Sequence, residues 1–285
     1  MDKNDPVLGF FHRWVEEFNK CFEKITVICL EQGEYNLPNK ILSLGKEKKV
    51  SKFTYLINFY KYIWQERNNY DAIFVHMNQE YVLLGWKFWK LWGKKIYLWR
   101  NHAKGDLLTA LAVWLSHKVF YTSPSSFTAG FKKAIQMPVG IDTDFFKPDL
   151  DIARVPNSIL FLGRISPVKK VLEFVEWFNT LDNKFVATVA GSALSKDKNY
   201  EELVQSRASD RIKFIGAVDQ EQALKLYQSH EIYVNKTPAG SYDKTIFEAA
   251  ACGMKLKVDN PDAQNIKVEN HSLDKLMEKL KKELS

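Results

Sequence analysis

The sequence predicts an α/β protein made of two domains, each with a mostly parallel sheet. Three observations carry that prediction. Short apolar runs rich in β-branched and aromatic residues alternate with longer helical patterns along the chain. The alternation lapses at residues 137–157, where Pro138, Gly140, Pro148 and Pro156 gather with several acidic residues. The length, 285 residues, suffices for two domains of ordinary size.

In chain order, the first strand candidates are residues 25–30, 72–76, 95–99 and 118–122, each a compact apolar run bounded by polar residues. Residues 53–69 and 80–92 lie between them and carry the longer helical period. A second series follows the lapse, with strands at 158–162, 185–190, 212–215, 232–234 and 255–258. Helices are predicted over 168–179, 220–229, 244–252 and 273–284. The division is placed at 1–145 and 146–285. Ligands of such sheets sit beyond the carboxyl ends of the strands. Two Rossmann-like domains facing each other would form a cleft there, so the loops after the strands are the ones to read for chemistry.

Composition narrows the function classes. The chain is 46% hydrophobic and 26% charged, as expected of a globular protein. No run reaches the about 18–20 uncharged apolar residues of a membrane-spanning helix. The N-terminal residues lack a secretory leader pattern, and a cytoplasmic protein is expected. Three cysteines (Cys21, Cys29, Cys252) without CxxC spacing point to neither a disulfide framework nor a zinc site. The net charge of +7 favours anionic partners. Nucleic acid is not expected, because no recognised binding module is present.

Two segments carry residues suited to phosphate chemistry. In Gly163-Arg164-Ile165-Ser166-Pro167-Val168-Lys169 a strand ends, a glycine turns and a helix is about to begin. Arg164 and Lys169 would project at the ligand edge, where a guanidinium fork and an ammonium can neutralise a leaving diphosphate. Two solvated cations near a helix start is the plainer reading. The second segment runs from Pro238 to Gly253. A Gly/Ser loop there precedes a helix whose free N–H groups could hold phosphate or sugar oxygens, and Gly253 closes the helix. Ser241, Tyr242, Asp243 and Lys244 lie at the helix start. Glu248 lies about one turn inside, placed to accept from ribose hydroxyls or to be an ordinary surface glutamate.

Together these segments resemble the family 4 retaining glycosyltransferases of GT-B fold. The matching residues are Gly163-Arg164 with Lys169, and Glu248-Ala249-Ala250-Ala251-Cys252-Gly253. The turns Ala190-Gly191-Ser192 and Phe214-Ile215-Gly216 match as well, as does the linker from Gly140 to Pro148. The resemblance covers roughly residues 70–255. It implies two Rossmann-like domains facing across a cleft, with the acceptor on the first and the nucleotide sugar on the second. It also implies transfer with retention of configuration and without a metal ion or other cofactor. The donor implied is a UDP- or GDP-sugar, and the acceptor a sugar or lipid-linked hydroxyl in polysaccharide or glycolipid synthesis. Arg164 and Lys169 would neutralise the diphosphate and Glu248 would bind the ribose. Gly163 would line the donor site, and Phe214 and Ile215 would lie beside the base. His102, directly after the strand at 95–99, would contact the reacting sugar.

Two departures qualify the resemblance. Gly240 stands where the family has a sugar-binding glutamate, so Asp243 and Lys244 are expected to take over that contact. The ends are short: either the protein is a minimal version, or the first domain lacks its first strand, with poor stability or dimerisation expected in that second case. A non-catalytic relative that binds a nucleotide sugar or a partner transferase is therefore the alternative, and a sugar epimerase of the same fold stays open. Asp142-Thr143-Asp144 has the spacing of a metal-binding pair, but it falls inside the linker match, so no metal is expected.

A final feature is the basic, Trp-rich window at 81–105, with six Lys/Arg, no Asp/Glu and four of the eight tryptophans. It reads equally as a core helix rimmed by lysine stems or as a face meeting an acidic membrane through Trp86, Lys87, Lys90 and Trp92. In the second reading the protein sits peripherally on the inner membrane face.

Overall fold

The computed structural model describes every residue except Pro6, Val7, Ser241 and Ser285. The chain forms two compact units. One comprises Met1–Met137 and the residues from Met277 onward, the other Pro138–Leu276.

The first unit opens with α1 (Phe10–Cys21), whose Trp14, Val15 and Phe18 recur at helical spacing and are buried. Their rings meet strand residues: Trp14 lies 5.1 Å from Trp99, and Phe18 lies 5.8 Å from Phe74. Strands β1 (Thr26–Cys29) and β2 (Lys40–Ser43) follow, then α2 (Lys52–Glu66), capped by the Ser51 hydroxyl accepting from Thr54 N–H. Next come β3 (Ala72–His76), α3 (Glu80–Leu91), β4 (Lys95–Trp99), α4 (Leu107–Leu115), β5 (Lys118–Tyr121) and β6 (Ala134–Gln136). A capping box between Asp106 and Thr109 starts α4.

Strands β3-β4-β5-β6 make one parallel sheet, and β1 and β2 stand apart as a parallel pair. Among the described residues none before α1 forms a strand. The C-terminal residues join this unit: Lys118 pairs with Glu283 at 3.1 Å, and Lys279 donates to the Gln136 carbonyl at 2.7 Å.

The second unit runs β7 (Val155–Leu162), α5 (Val171–Asn179), β8 (Val186–Ala190), α6 (Lys198–Arg207), β9 (Ile212–Gly216), α7 (Gln220–Ser229), β10 (His230–Asn235), α8 (Lys244–Ala251) and β11 (Lys255–Val258). The final helix, α9 (Leu273–Leu284), begins here. The sheet order is β11-β10-β7-β8-β9, all parallel.

Side chains alternate across this sheet into two cores. Ile159 and Phe161 enter one core with Val171, Phe174 and Phe178 of α5. Leu160 and Tyr233 enter the other with Tyr227, Ile246 and Phe247. Burial on both faces explains why these strands read as continuous apolar runs. Phe174 and Phe178 are fully buried, each contributing about 1.5–3 kcal/mol. Both units are Rossmann-like, which is the domain content of the GT-B fold.

Candidate functional site

The carboxyl ends of β7, β8 and β9 are tied into one rim. Gly163 N–H donates to the Ala190 carbonyl at 2.9 Å, and Gly191 N–H donates to the Gly216 carbonyl at 2.7 Å. Gly191 has φ +143°, and a Cβ there would stand 2.0 Å from the Gly163 carbonyl oxygen. Only glycine lets these two loops approach so closely. The chain then leaves β7 through Gly163 and Arg164 into a short 3-10 turn, Pro167–Lys169. The turn ends on Lys170 with φ +53°, so α5 starts at Val171 rather than near 168.

Lys169 is the best-anchored cation of the rim. Its ammonium forms an ion pair with the Asp243 carboxylate at the start of α8, and both side chains are largely buried. Asp243 also accepts from Asn235 Nδ2 at 2.9 Å and from the Thr237 hydroxyl at 3.2 Å. Burial alone would raise the Asp243 pKa. The Lys169 charge and the hydrogen bonds from Lys169, Asn235 and Thr245 outweigh burial and hold it below the usual carboxylate value. The carboxylate is thus occupied within the unit and orients Lys169.

Asn235 holds a second connection. Its Nδ2 also reaches the Tyr233 hydroxyl at 3.3 Å, and that hydroxyl donates to Thr245 Oγ1 at 2.6 Å. The loop after β10 and the first turn of α8 are therefore bound to the end of β7 through a polar network.

One turn along α8, Glu248 Oε2 accepts from the Tyr227 hydroxyl at 2.9 Å, and Lys244 Nζ donates to the Gly140 carbonyl at 3.2 Å. Burial pushes Glu248 up to about 7 against the opposing Lys244 charge. Burial likewise pushes Lys244 down to about 7 against the Glu248 charge. Glu248 keeps part of its surface open.

The remaining sequence-predicted residues fall as follows. Arg164 is exposed, and among the described residues its guanidinium has no hydrogen-bond or ion-pair partner. Phe214 packs into the α5-side core and Ile215 into the opposite one, both half-buried at the end of β9. Tyr242 is half-buried with its ring 5.0 Å from Phe247 and 5.9 Å from His271. Ser241 lies outside the described residues.

In the first unit His102 is exposed in the loop after β4. Its Nδ1 accepts from Lys104 N–H at 3.4 Å. Asp142 Oδ1 caps a turn, accepting from Asp144 and Phe145 N–H groups, each at 3.2 Å. Trp86 and Trp92 are half-buried against the first unit's core, whereas Lys87 and Lys90 are exposed.

Sequence reasoning missed Asn235, Thr237, Tyr227 and Tyr233. The signal available was a polar Asn-Lys-Thr step closing the apolar run of β10, where a buried strand end has no reason to be polar unless it holds something.

With this geometry in view, comparison with known proteins is informative. Residues 156–256 match the family model "Glycosyl transferases group 1". No curated protein matches the chain. Among solved structures, HepE of Anabaena in complex with UDP superposes with a TM-score of 0.75 at 14% identity, covering 99% of this chain and 98% of that one. A glycosyltransferase from Rickettsia africae ESF-5 gives 0.71 at 14% identity, covering 98% and 95%. Sucrose-phosphate synthase from Thermosynechococcus elongatus gives 0.58 at 15% identity, covering 80% and 68%. The chain therefore has the GT-B fold, and its residues 156–256 form a domain of the group 1 glycosyltransferase type.

Proposed function

We propose that this protein transfers a sugar from a nucleoside diphosphate sugar to a hydroxyl acceptor, as a retaining transferase of the family 4 kind. The observation that carries the reading is the Lys169 ammonium, fixed by the buried Asp243 at the end of β7 and carried on the same loop as the exposed Arg164. Two cations at a strand's carboxyl end are what a departing diphosphate needs, and they supply its neutralisation from the protein's own side chains. The HepE structures hold UDP and UDP-glucose, which supports a uridine nucleotide as donor here.

In the proposed reaction the bond from the anomeric carbon to the diphosphate breaks, and a new bond to the acceptor oxygen forms on the same face. The acceptor proton leaves on the released nucleoside diphosphate. Glu248 binds the ribose, and Gly163, Phe214, Ile215, Tyr242 and Lys244 line the donor site. The acceptor is a sugar or a lipid-linked glycan.

The test is release of nucleoside diphosphate from a panel of UDP- and GDP-sugars, with product anomers assigned by NMR. An inverted product overturns retention, and an Arg164→Ala variant with unchanged turnover overturns the site.

A second reading is a relative that binds a nucleotide sugar without turnover. It is favoured by Gly240, which leaves no side chain where the family has a sugar-binding glutamate. Tight donor binding with no release in the presence of acceptor glycans would select it.

A further inference from the structure

Helix α4 presents more apolar surface to solvent than its size explains. Of its nine residues, Leu107, Leu108, Leu111 and Trp114 are exposed, at 88%, 56%, 43% and 68%. Thr109, Ala112, Val113 and Leu115 on the other side are buried, so the helix is apolar on both faces while only one faces the core. Leu91 at the end of the neighbouring α3 is 81% exposed. The two helices pack together, and Lys90 of α3 lies 5.2 Å from the Trp114 ring centre. Lys87 sits one turn earlier on α3 and is exposed. Single exposed leucines are ordinary on protein surfaces, but a cluster of them beside a tryptophan and lysines is not.

The charge around this patch is strongly biased. Residues 51–134 carry twelve Lys/Arg against four Asp/Glu, a net +8, so the rest of the chain is slightly acidic. This bias selects among occupants. A second copy docked symmetrically would set one strongly basic patch against another of the same sign, which is unfavourable. An anionic bilayer instead takes the leucines and the indole into its interfacial layer while the lysine stems reach the headgroups. No helix among the described residues is long and apolar enough to cross a membrane, so the contact would lie along the surface.

We infer that the exposed face of α4, with Leu91, Lys87 and Lys90 of α3, is a docking surface for an acidic lipid membrane. The face begins directly after the loop that holds His102, so docking would bring that loop close to the lipid headgroups. The inference moves the apolar contact from Trp86 and Trp92, which are half-buried, to a helix that the tryptophan pattern did not mark. It stands on the first unit alone and does not depend on the sugar-transfer reading.

The test is co-sedimentation of the full chain with vesicles of phosphatidylcholine, alone or mixed with phosphatidylglycerol. Binding is expected only to the anionic vesicles and is expected to weaken with salt. Leu107→Ser/Leu111→Ser and, separately, Lys87→Glu/Lys90→Glu should each lower vesicle affinity by about tenfold or more. All four positions are exposed, and unchanged melting temperatures would show that the variants fold. The inference is overturned if the wild type stays in the supernatant with anionic vesicles at low salt. It is also overturned if either folded variant binds as the wild type does, or if the α4 variant abolishes a dimer instead of vesicle binding.

Discussion

The ammonium of Lys169 and the carboxylate of Asp243 form an ion pair that joins the turn after β7 to the start of α8. Asp243 holds the N-cap position of α8 but makes no side-chain cap there, and its Oδ2 accepts from Lys169, Asn235 and Thr237 instead. A residue type that ordinarily caps a helix serves here to aim a cation.

That relationship gives the first prediction. Asp243→Asn keeps the size and loses the charge, so Lys169 is no longer held. Nucleoside diphosphate affinity should fall by about tenfold, and unfolding free energy by about 1–3 kcal/mol. The pH dependence follows from the sign of the shift. The folded-state pKa of Asp243 lies below its unfolded value, so its stabilisation is present above about pH 4 and is lost as pH falls through the folded value. The urea midpoints of wild type and Asp243→Asn should therefore converge in acid. Midpoints that stay equally far apart below pH 4 would contradict this.

Arg164 makes the complementary case. Its guanidinium is exposed and has no partner among the described residues. Arg164→Ala should leave stability within about 0.5 kcal/mol of wild type. Turnover should fall by about a hundredfold or more, because the lost charge acts on the leaving group. Thermal melts and diphosphate release, measured on the same preparation, separate the two effects.

Much of the second unit was legible in its sequence. Strands β7, β8 and β10 are buried toward their carboxyl ends and show there as apolar runs, with glycines following β7 and β8, whereas the edge strand β11 is largely exposed. The first unit was less legible. Helix α4 hides its face because apolar residues surround it on all sides. Strands β2 and β6 have only four and three residues, too few to show a period. Helix α1 has an apolar stripe at Phe10, Trp14 and Phe18 but no start signal, since its N-cap Gly9 makes no side-chain cap and its first turn has no acidic residue. Within the site, Lys169 and Asp243 were each visible in the sequence, but their pairing was not. Seventy-four residues separate them, and only the parallel order of β7 and β10 brings them together.

The buried pair on α8 predicts an unusual pH profile. Glu248 is raised to about 7, so its contribution is full below its unfolded value and is lost as pH rises toward 7. Lys244 is lowered to about 7, so its contribution is full above its unfolded value and is lost as pH falls toward 7. Glu248→Gln should therefore gain melting temperature relative to wild type as pH rises from about 5 to about 7. A difference that is flat or shrinks over that interval would show that burial does not govern this carboxyl.

Two glycines of the rim should respond differently to the same substitution. Gly191→Ala drives a methyl into the Gly163 carbonyl and should cost at least about 3 kcal/mol, with loss of nucleotide binding. At Gly216 the φ is +76° but a Cβ meets nothing within 4 Å, so Gly216→Ala should cost only about 1–2 kcal/mol. Urea unfolding of the two variants gives the comparison.

The most direct test of the account is calorimetric titration of UDP into wild type and the Arg164→Ala/Lys169→Ala double variant, with a chelator present throughout. The account predicts that the wild type binds UDP without any metal ion and that the double variant binds about a hundredfold more weakly or not at all. Equal affinity in the two proteins, or wild-type binding that requires a divalent ion, would contradict it.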